Sequence, residues 1–251
     1  MVKIIMHGCN GKMGQVISGI VRDDENAEIV AGIDVFDGIK NTYPVFTSIE
    51  DCDVEADVII DFAAAKAVDA LVDYSVKRQI PLVLCTTGLS EEQIAKVNAA
   101  SEKVAILRSA NMSLGINTIF KVLQMISPLL SEAGFDIEIV EKHHHLKVDA
   151  PSGTALALAD VINASLSEPF NYKFDRSQDR IRRPKNEIGI SAVRGGTIVG
   201  DHEVIFAGED EEIVVKHTAH SKAVFGKGAV EAAKYLKGKG PGMYTMKEVI
   251  G

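Results

Sequence analysis

The chain has 251 residues, 46% of them hydrophobic and 25% charged, and a net charge of −8. That is enough for one large or two modest domains of ordinary globular composition, and the acidity argues against broad nucleic-acid binding, which needs a basic face. The cysteines Cys9, Cys52 and Cys85 form no CxxC pair, no run approaches the roughly 18 apolar residues of a membrane span, and residues 1–6 lack a signal-peptide layout. A reducing cytoplasmic setting without membrane association is expected.

In chain order, an apolar run at residues 2–7 leads into Gly8-Cys9-Asn10-Gly11-Lys12-Met13-Gly14 and a helical pattern over 15–23. Further strands are predicted at 28–33, ending before Asp34, within 54–62 (Val58-Ile59-Ile60, then Asp61), and at 81–85 and 104–107. Helices are predicted over 63–77 and 91–101, the second opened by Ser90 and Gln93 as a capping box. Strands alternating with helices define an α/β fold with a doubly wound, Rossmann-type parallel sheet.

Between the first strand and the first helix, the spacing Gly8-x-x-Gly11-x-x-Gly14 departs from GxGxxG because Cys9 stands where its first glycine falls. Small residues there still let the backbone approach a pyrophosphate at a helix N-terminus. Asp34 supplies the acid expected about 20 positions on, at the end of the second strand, for ribose hydroxyls. It favours NADH over NADPH; no arginine follows, and Lys40 is the nearest cation in sequence. Loops after later strands line the same crevice. They carry Cys85, Thr86 and Thr87, then Ser109, Ala110, Asn111 and Met112, with turn chemistry as the alternative role for Thr86, Thr87 and Asn111.

The second part of the chain changes character. An amphipathic helix over 117–130 precedes a strand at 135–143, a helix at 155–166 and a polar run at 168–186. Strand-like stretches follow at 188–194, 196–200, 203–207 and 211–218, predicting an α+β domain with a mixed or antiparallel sheet. The basic run 180–185 reads as a solvated loop. A helix at 226–236 is expected to return to the first domain, capped by the tail 240–250.

Residues 141–155, Glu-Lys-His-His-His-Leu-Lys-Val-Asp-Ala-Pro-Ser-Gly-Thr-Ala, hold three of the seven histidines in a row. A strand delivers imidazoles and Lys147 to a loop that ends at a helix N-terminus, where Ser152, Gly153 and Thr154 offer N–H groups to an anion. Strand alternation puts His143 and His145 on one side and His144 on the other. A metal centre is the rival reading, but two histidines on one face with no nearby cysteine make a poor tetrahedral set, so no metal is expected.

Further motifs accompany this stretch: Gly8-x-x-Gly11-x-Met13-Gly14, Cys85-Thr86-Thr87-Gly88, Ala110-Asn111-Met112-Ser113-x-Gly115-x-Asn117, Arg194-x-Gly196-x-Ile198-Val199-Gly200-x-His202 and His217-x-Ala219-x-Ser221. Together, over nearly the whole chain, they resemble the 4-hydroxy-tetrahydrodipicolinate (dihydrodipicolinate) reductase family of lysine and diaminopimelate biosynthesis. The resemblance implies reduction of 4-hydroxy-tetrahydrodipicolinate to tetrahydrodipicolinate by NADH or NADPH with loss of water. It implies a dinucleotide domain of residues 1–114 and 224–251, and a substrate-binding and homotetramer-forming domain of residues 115–223. His143 matches the proton donor and Lys147 a second one; His144, Gly153 and Thr154 match substrate contacts. Gly8 to Met13, Asp34 and the two later loops match the cofactor site. Cys85, Met112 and Lys222 stand where the family commonly has glycine, phenylalanine and arginine.

The residues fit that chemistry on their own terms. A dicarboxylate needs cations and N–H donors, and a carbanion or enamine left by hydride needs an acid such as an imidazole, with an ordinary pKa of about 6.5. The two domains must meet to exclude water, with hinges expected near Ser113 and Val224. Two other classes stay open here: a dinucleotide-sensing protein without catalysis, and a different two-domain dehydrogenase.

Overall fold

The computed structural model describes residues 1–251 and divides into two compact units, Met1–Leu114 with Ala223–Gly251, and Gly115–Lys222. The first unit opens with β1 (Val2–His7), α1 (Lys12–Arg22), β2 (Ala27–Ile33), β3 (Val45–Phe46) and β4 (Val58–Asp61). It continues through α2 (Val68–Arg78), β5 (Leu82–Leu84), α3 (Glu91–Ser101) and β6 (Ala105–Leu107). Next come α4 (Leu114–Glu132), β7 (Asp136–His143), α5 (Gly153–Ser165), β8 (Asn171–Lys173), β9 (Glu187–Arg194), β10 (Gly200–Ala207) and β11 (Glu212–Ala219). The chain ends with α6 (Ala223–Leu236), β12 (Gly242–Tyr244) and α7 (Met246–Ile250) in the first unit.

The first unit is a seven-stranded parallel sheet in the order β12-β6-β5-β4-β1-β2-β3. Its central strands read as continuous apolar runs because both faces are covered: Ile4, Met6, Val58 and Ile60 lie in one core, and Ile5, Ile59, Leu82 and Leu84 in the other. The capping box at Ser90 and Gln93 forms in both directions. Gly228 lets α6 approach the end of the β6 loop, since a Cβ there would lie 1.6 Å from the Met112 carbonyl oxygen.

The second unit is a mixed five-stranded sheet, β11-β10-β7-β9-β8, with β10 antiparallel to β7 and β11, and β9 parallel to β7 and β8. β7 and β10 alternate buried and half-buried positions. Ile137, Ile139, Val204 and Phe206 form a core with Leu123 of α4 and Leu158 and Ile162 of α5. α4 spans 19 residues at a mean hydropathy of 1.2, long and apolar enough by composition to cross a membrane. Yet it is two-sided, with Ile116, Leu123 and Ser127 buried and Met125 and Leu129 exposed.

Three expectations need correction. Residues 196–199 are not a strand, and Gly200 already opens β10: β9 and β10 flank β7, so the chain must step over the end of β7, and it does so with Gly196 at φ +50. The tail does more than cap α6, because β12 extends the parallel sheet beside β6. The basic run is only partly solvated; Arg180 and Arg182 are exposed, but Arg183 binds Asp136 at 2.7 Å and Glu138 at 2.9 Å.

Candidate active site

At the carboxyl ends of the parallel strands, the glycine loop is built for close approach. Gly8 has φ +80, and a Cβ there would sit 3.0 Å from the Phe62 carbonyl. A Cβ on Gly14 would lie 2.2 Å from the Gly8 oxygen and 2.5 Å from that of Cys9, so α1 abuts the loop backbone. Gly11 caps α1 without a side-chain bond, and no acid occupies its first turn, where Lys12 and Met13 lie. Gly14→Ala is therefore expected to destabilise the fold by about 1–3 kcal/mol through overpacking; thermal or urea unfolding measures it, and an unchanged midpoint would show that α1 can retreat freely.

Asp34 sits at the loop's far side. Its Oδ2 accepts from the Asn10 N–H at 2.9 Å and its Oδ1 from the Phe36 N–H at 3.0 Å, while the Asn10 side chain bonds the Phe36 carbonyl. These bonds orient the carboxylate into a cleft of about 430 Å³ whose walls include Gly8, Gly11, Asp34, Phe62 and Lys66. The cation in that cleft is Lys66, not Lys40, which lines a different hollow beside Gln15 and Tyr43. The Cys9 thiol is buried, and burial, then the Asp34 charge, pushes it up to about 11, so it is a packing group.

Below the cleft, buried Asp61 binds His7 Nδ1 at 2.6 Å and accepts from the Thr86 hydroxyl at 2.5 Å. Thr86 thus uses its side chain within the protein, and the Asn111 Oδ1 accepts from the Ser113 N–H at 2.8 Å in turn fashion. Cys85, raised well above the ordinary thiol range by burial and then by Asp61, precedes Thr86 and exposed Thr87 in the loop after β5. Ser109, Ala110, Asn111 and buried Met112 follow β6 at the same end of the sheet.

In the second unit β7 stops at His143, so strand alternation does not extend through the histidine row. The exposed His145 ring is tied to the Gly196 carbonyl at 2.9 Å, across the crossover loop. His144 is half-buried, its Nδ1 has no partner, and it is held toward the neutral form by burial and then by the charges of Lys222, His143 and Lys147. His143 is buried, with Nδ1 2.6 Å from the Glu141 Oε2.

Glu141, at 0% exposure, is the centre of the arrangement. It also accepts from Arg194 at 2.8 and 2.7 Å and from the Ser152 N–H at 2.9 Å. Burial would raise its carboxyl, but the Arg194 bonds, then His143 and Ser152, hold it below the usual carboxylate range. Ser152 Oγ caps α5 by accepting from the Ala155 N–H, and it also meets His202 Nε2 at 3.0 Å. His202 is buried edge-on to His143, ring centres 5.2 Å apart, and burial, then the His143 charge, pushes it down to about 4.

The anion cradle differs from expectation in one respect. The Ser152 N–H is taken by Glu141, at the start of the helix that Gly153 opens. Lys147 Nζ lies 2.8 Å from Asp149 Oδ1, and that bond, with a further one from the Gly153 backbone, holds Asp149 below the usual range. The cradle therefore already holds a carboxylate, one supplied by the chain.

Glu141, Arg194 and His202 had no assigned role in the sequence reading. Glu141 could have been found, because residues two apart on a strand share a face with His143. Arg194 and His202 needed the sheet register, which pairs His143 with Arg194 and Glu141 with His202.

A glycine-loop cleft on a parallel sheet, with an imidazole–lysine–helix arrangement in a second unit, has the features expected of an NAD(P)H-dependent oxidoreductase. The family described as dihydrodipicolinate reductase matches through its N-terminal part at residues 2–112 and its C-terminal part at 115–250. The chain is 50% identical over 254 residues to a 4-hydroxy-tetrahydrodipicolinate reductase of Caldanaerobacter subterraneus subsp. tengcongensis, covering 100% of this chain and 98% of that one. It is 52% identical over 251 residues to one of Clostridium novyi, with the same coverage. A solved dipicolinate-bound dihydrodipicolinate reductase from Paenisporosarcina sp. TG-14 shares the fold at a TM-score of 0.81 and 23% identity, covering 98% of this chain and 97% of that one. The chain belongs to the dihydrodipicolinate reductase family.

Proposed function

We propose that this protein reduces 4-hydroxy-tetrahydrodipicolinate to tetrahydrodipicolinate, with loss of water, in the cytoplasmic route to diaminopimelate and lysine. The observation that carries the reading is His143: Nδ1 is bound by a buried carboxylate, Nε2 has no partner in the chain, and Lys147 and the α5 N-terminus share its loop. The glycine cradle and Asp34 fit a dinucleotide, held by the segment Gly8 to Met13 and by the loops Cys85–Thr87 and Ser109–Met112. A bound nicotinamide supplies hydride.

The chain's own residues do the rest. A substrate carboxylate takes the position of Asp149 against Lys147 and the N–H groups of Gly153 and Thr154, a charge-assisted set. Neutral His144 contacts the heterocycle as a hydrogen-bonding ring. His143 delivers the proton to the carbanion or enamine carbon left once hydride has reached the ring, and Lys147 is the second donor.

Asp34 selects NADH, because its carboxylate accepts ribose hydroxyls and repels a 2′-phosphate. Asp34→Ser is expected to raise the ratio of kcat/KM for NADPH over NADH by about tenfold, some 1.4 kcal/mol. An unchanged ratio in parallel steady-state assays would remove Asp34 as the selector. The assembly we propose is a homotetramer formed by the second unit, whose sheet leaves Val193, Ile213 and Val214 exposed.

The test of the function is direct. The purified protein, incubated with NADH or NADPH and the heterocycle formed by the aldolase from pyruvate and aspartate semialdehyde, should consume the reduced cofactor. Consumption of neither would refute the reading.

A further inference from the structure

We infer that Glu141, with Arg194, is a positioning residue that fixes which nitrogen of His143 exchanges the proton and ties that ring to the substrate cradle. The inference rests on the proposal that His143 is the proton donor.

An ionised carboxylate only accepts hydrogen bonds, so the ring nitrogen 2.6 Å from Glu141 Oε2 must carry a hydrogen. Nδ1 is then committed, and Nε2 is the atom that gains and loses the proton. Gly200, the first residue of β10, keeps that atom accessible, because a Cβ there would lie 3.0 Å from Nε2. The opposite oxygen of Glu141 holds the Ser152 N–H at the start of α5. One buried carboxylate thus sets both the donor ring and the helix end meant for the substrate's carboxylate.

The charges around His143 are consistent with positioning. Glu141 faces it from the same strand, Arg194 from β9 and His202 from β10, with His144 and Lys147 on the following loop. Arg194 pairs with both oxygens of Glu141 and also bonds the Asp149 carbonyl at 2.6 Å, so the carboxylate is neutralised as well as oriented. A carboxylate so neutralised serves to orient the imidazole.

Two measurements test this. In the unaltered protein labelled with ¹⁵N-histidine, long-range ¹H–¹⁵N NMR at alkaline pH should show neutral His143 protonated on Nδ1, its signals identified by their loss in His143→Gln. The Nε2–H tautomer would overturn the inference whether or not the enzyme turns over. Glu141→Gln should lower kcat by about 10²-fold or more, as removal of an orienting carboxylate does elsewhere, with KM for NADH unchanged. A folded variant with the kcat of the unaltered enzyme would also overturn it. Absence of turnover in the unaltered enzyme, by contrast, would count against the proposed reaction and leave the NMR result to decide the role of Glu141.

Discussion

Replacement of His143 by glutamine is expected to lower kcat by about 10²- to 10⁴-fold, the range for loss of a positioned proton donor. Glutamine keeps polarity and reach at this buried position but has no group that titrates. The dinucleotide contacts proposed above, around Gly8, Gly14 and Asp34, belong to the other compact unit. KM for NADH should therefore stay near that of the unaltered enzyme while kcat falls. Lys147, the proposed second donor, is 22% exposed and paired with Asp149, and it should supply the residual rate. Steady-state kinetics with both substrates varied make the check. Full turnover by His143→Gln would move the donor role to Lys147.

Arg194→Met carries the second large effect, on stability and on its pH dependence. It leaves fully buried Glu141 without its main counter-charge. Breaking a buried ion pair from one side costs about 3–5 kcal/mol, and the lower end applies because Arg194 keeps 19% exposure. The direction with pH follows from the depressed carboxyl. A group whose folded pKa lies below its unfolded value contributes stability above the unfolded value, here about 4.5, and loses it as pH falls through the folded one. In Arg194→Met burial acts with less opposition, so the carboxyl is no longer depressed to the same degree and acid relieves a buried charge. The stability gap between the two proteins should be widest near neutral pH and narrow toward pH 4; melting curves across that range measure it. A gap that widened in acid would contradict the assignment of Arg194 as the partner that keeps Glu141 ionised.

Much of the first unit was legible because its physics is local. Apolar runs of strand length, a glycine loop before α1, Asp34 at the end of β2 and the Ser90–Gln93 box each declare themselves within a few residues. The strands β3, β8 and β12 span only 2, 3 and 3 residues, too short to show a period, and they exist because a sheet edge was available to pair with. The crossover 195–199 looked like a strand because Thr197, Ile198 and Val199 favour extended backbone. Only the strand order shows that this segment has to climb over the end of β7.

The candidate site divides in the same way. The stretch 141–155 placed imidazoles, Lys147 and a helix start together by adjacency. What it could not show was that Glu141 takes the Ser152 N–H, that Asp149 rests on Lys147, or that Lys66 shares a cleft with Asp34. The first and last depend on contacts between segments brought together by folding, and the second on how the loop 144–150 turns back on itself. His143, the donor candidate of the histidine row, is therefore oriented by a residue that is not a histidine.

The most direct test of the central claim is to follow the hydride. NADH deuterated at its hydride-bearing carbon should be consumed with the aldolase-generated heterocycle, and the tetrahydrodipicolinate formed should contain one deuterium by mass spectrometry. Cofactor oxidation that leaves the heterocycle without deuterium, or no reduced heterocycle at all, would contradict the account.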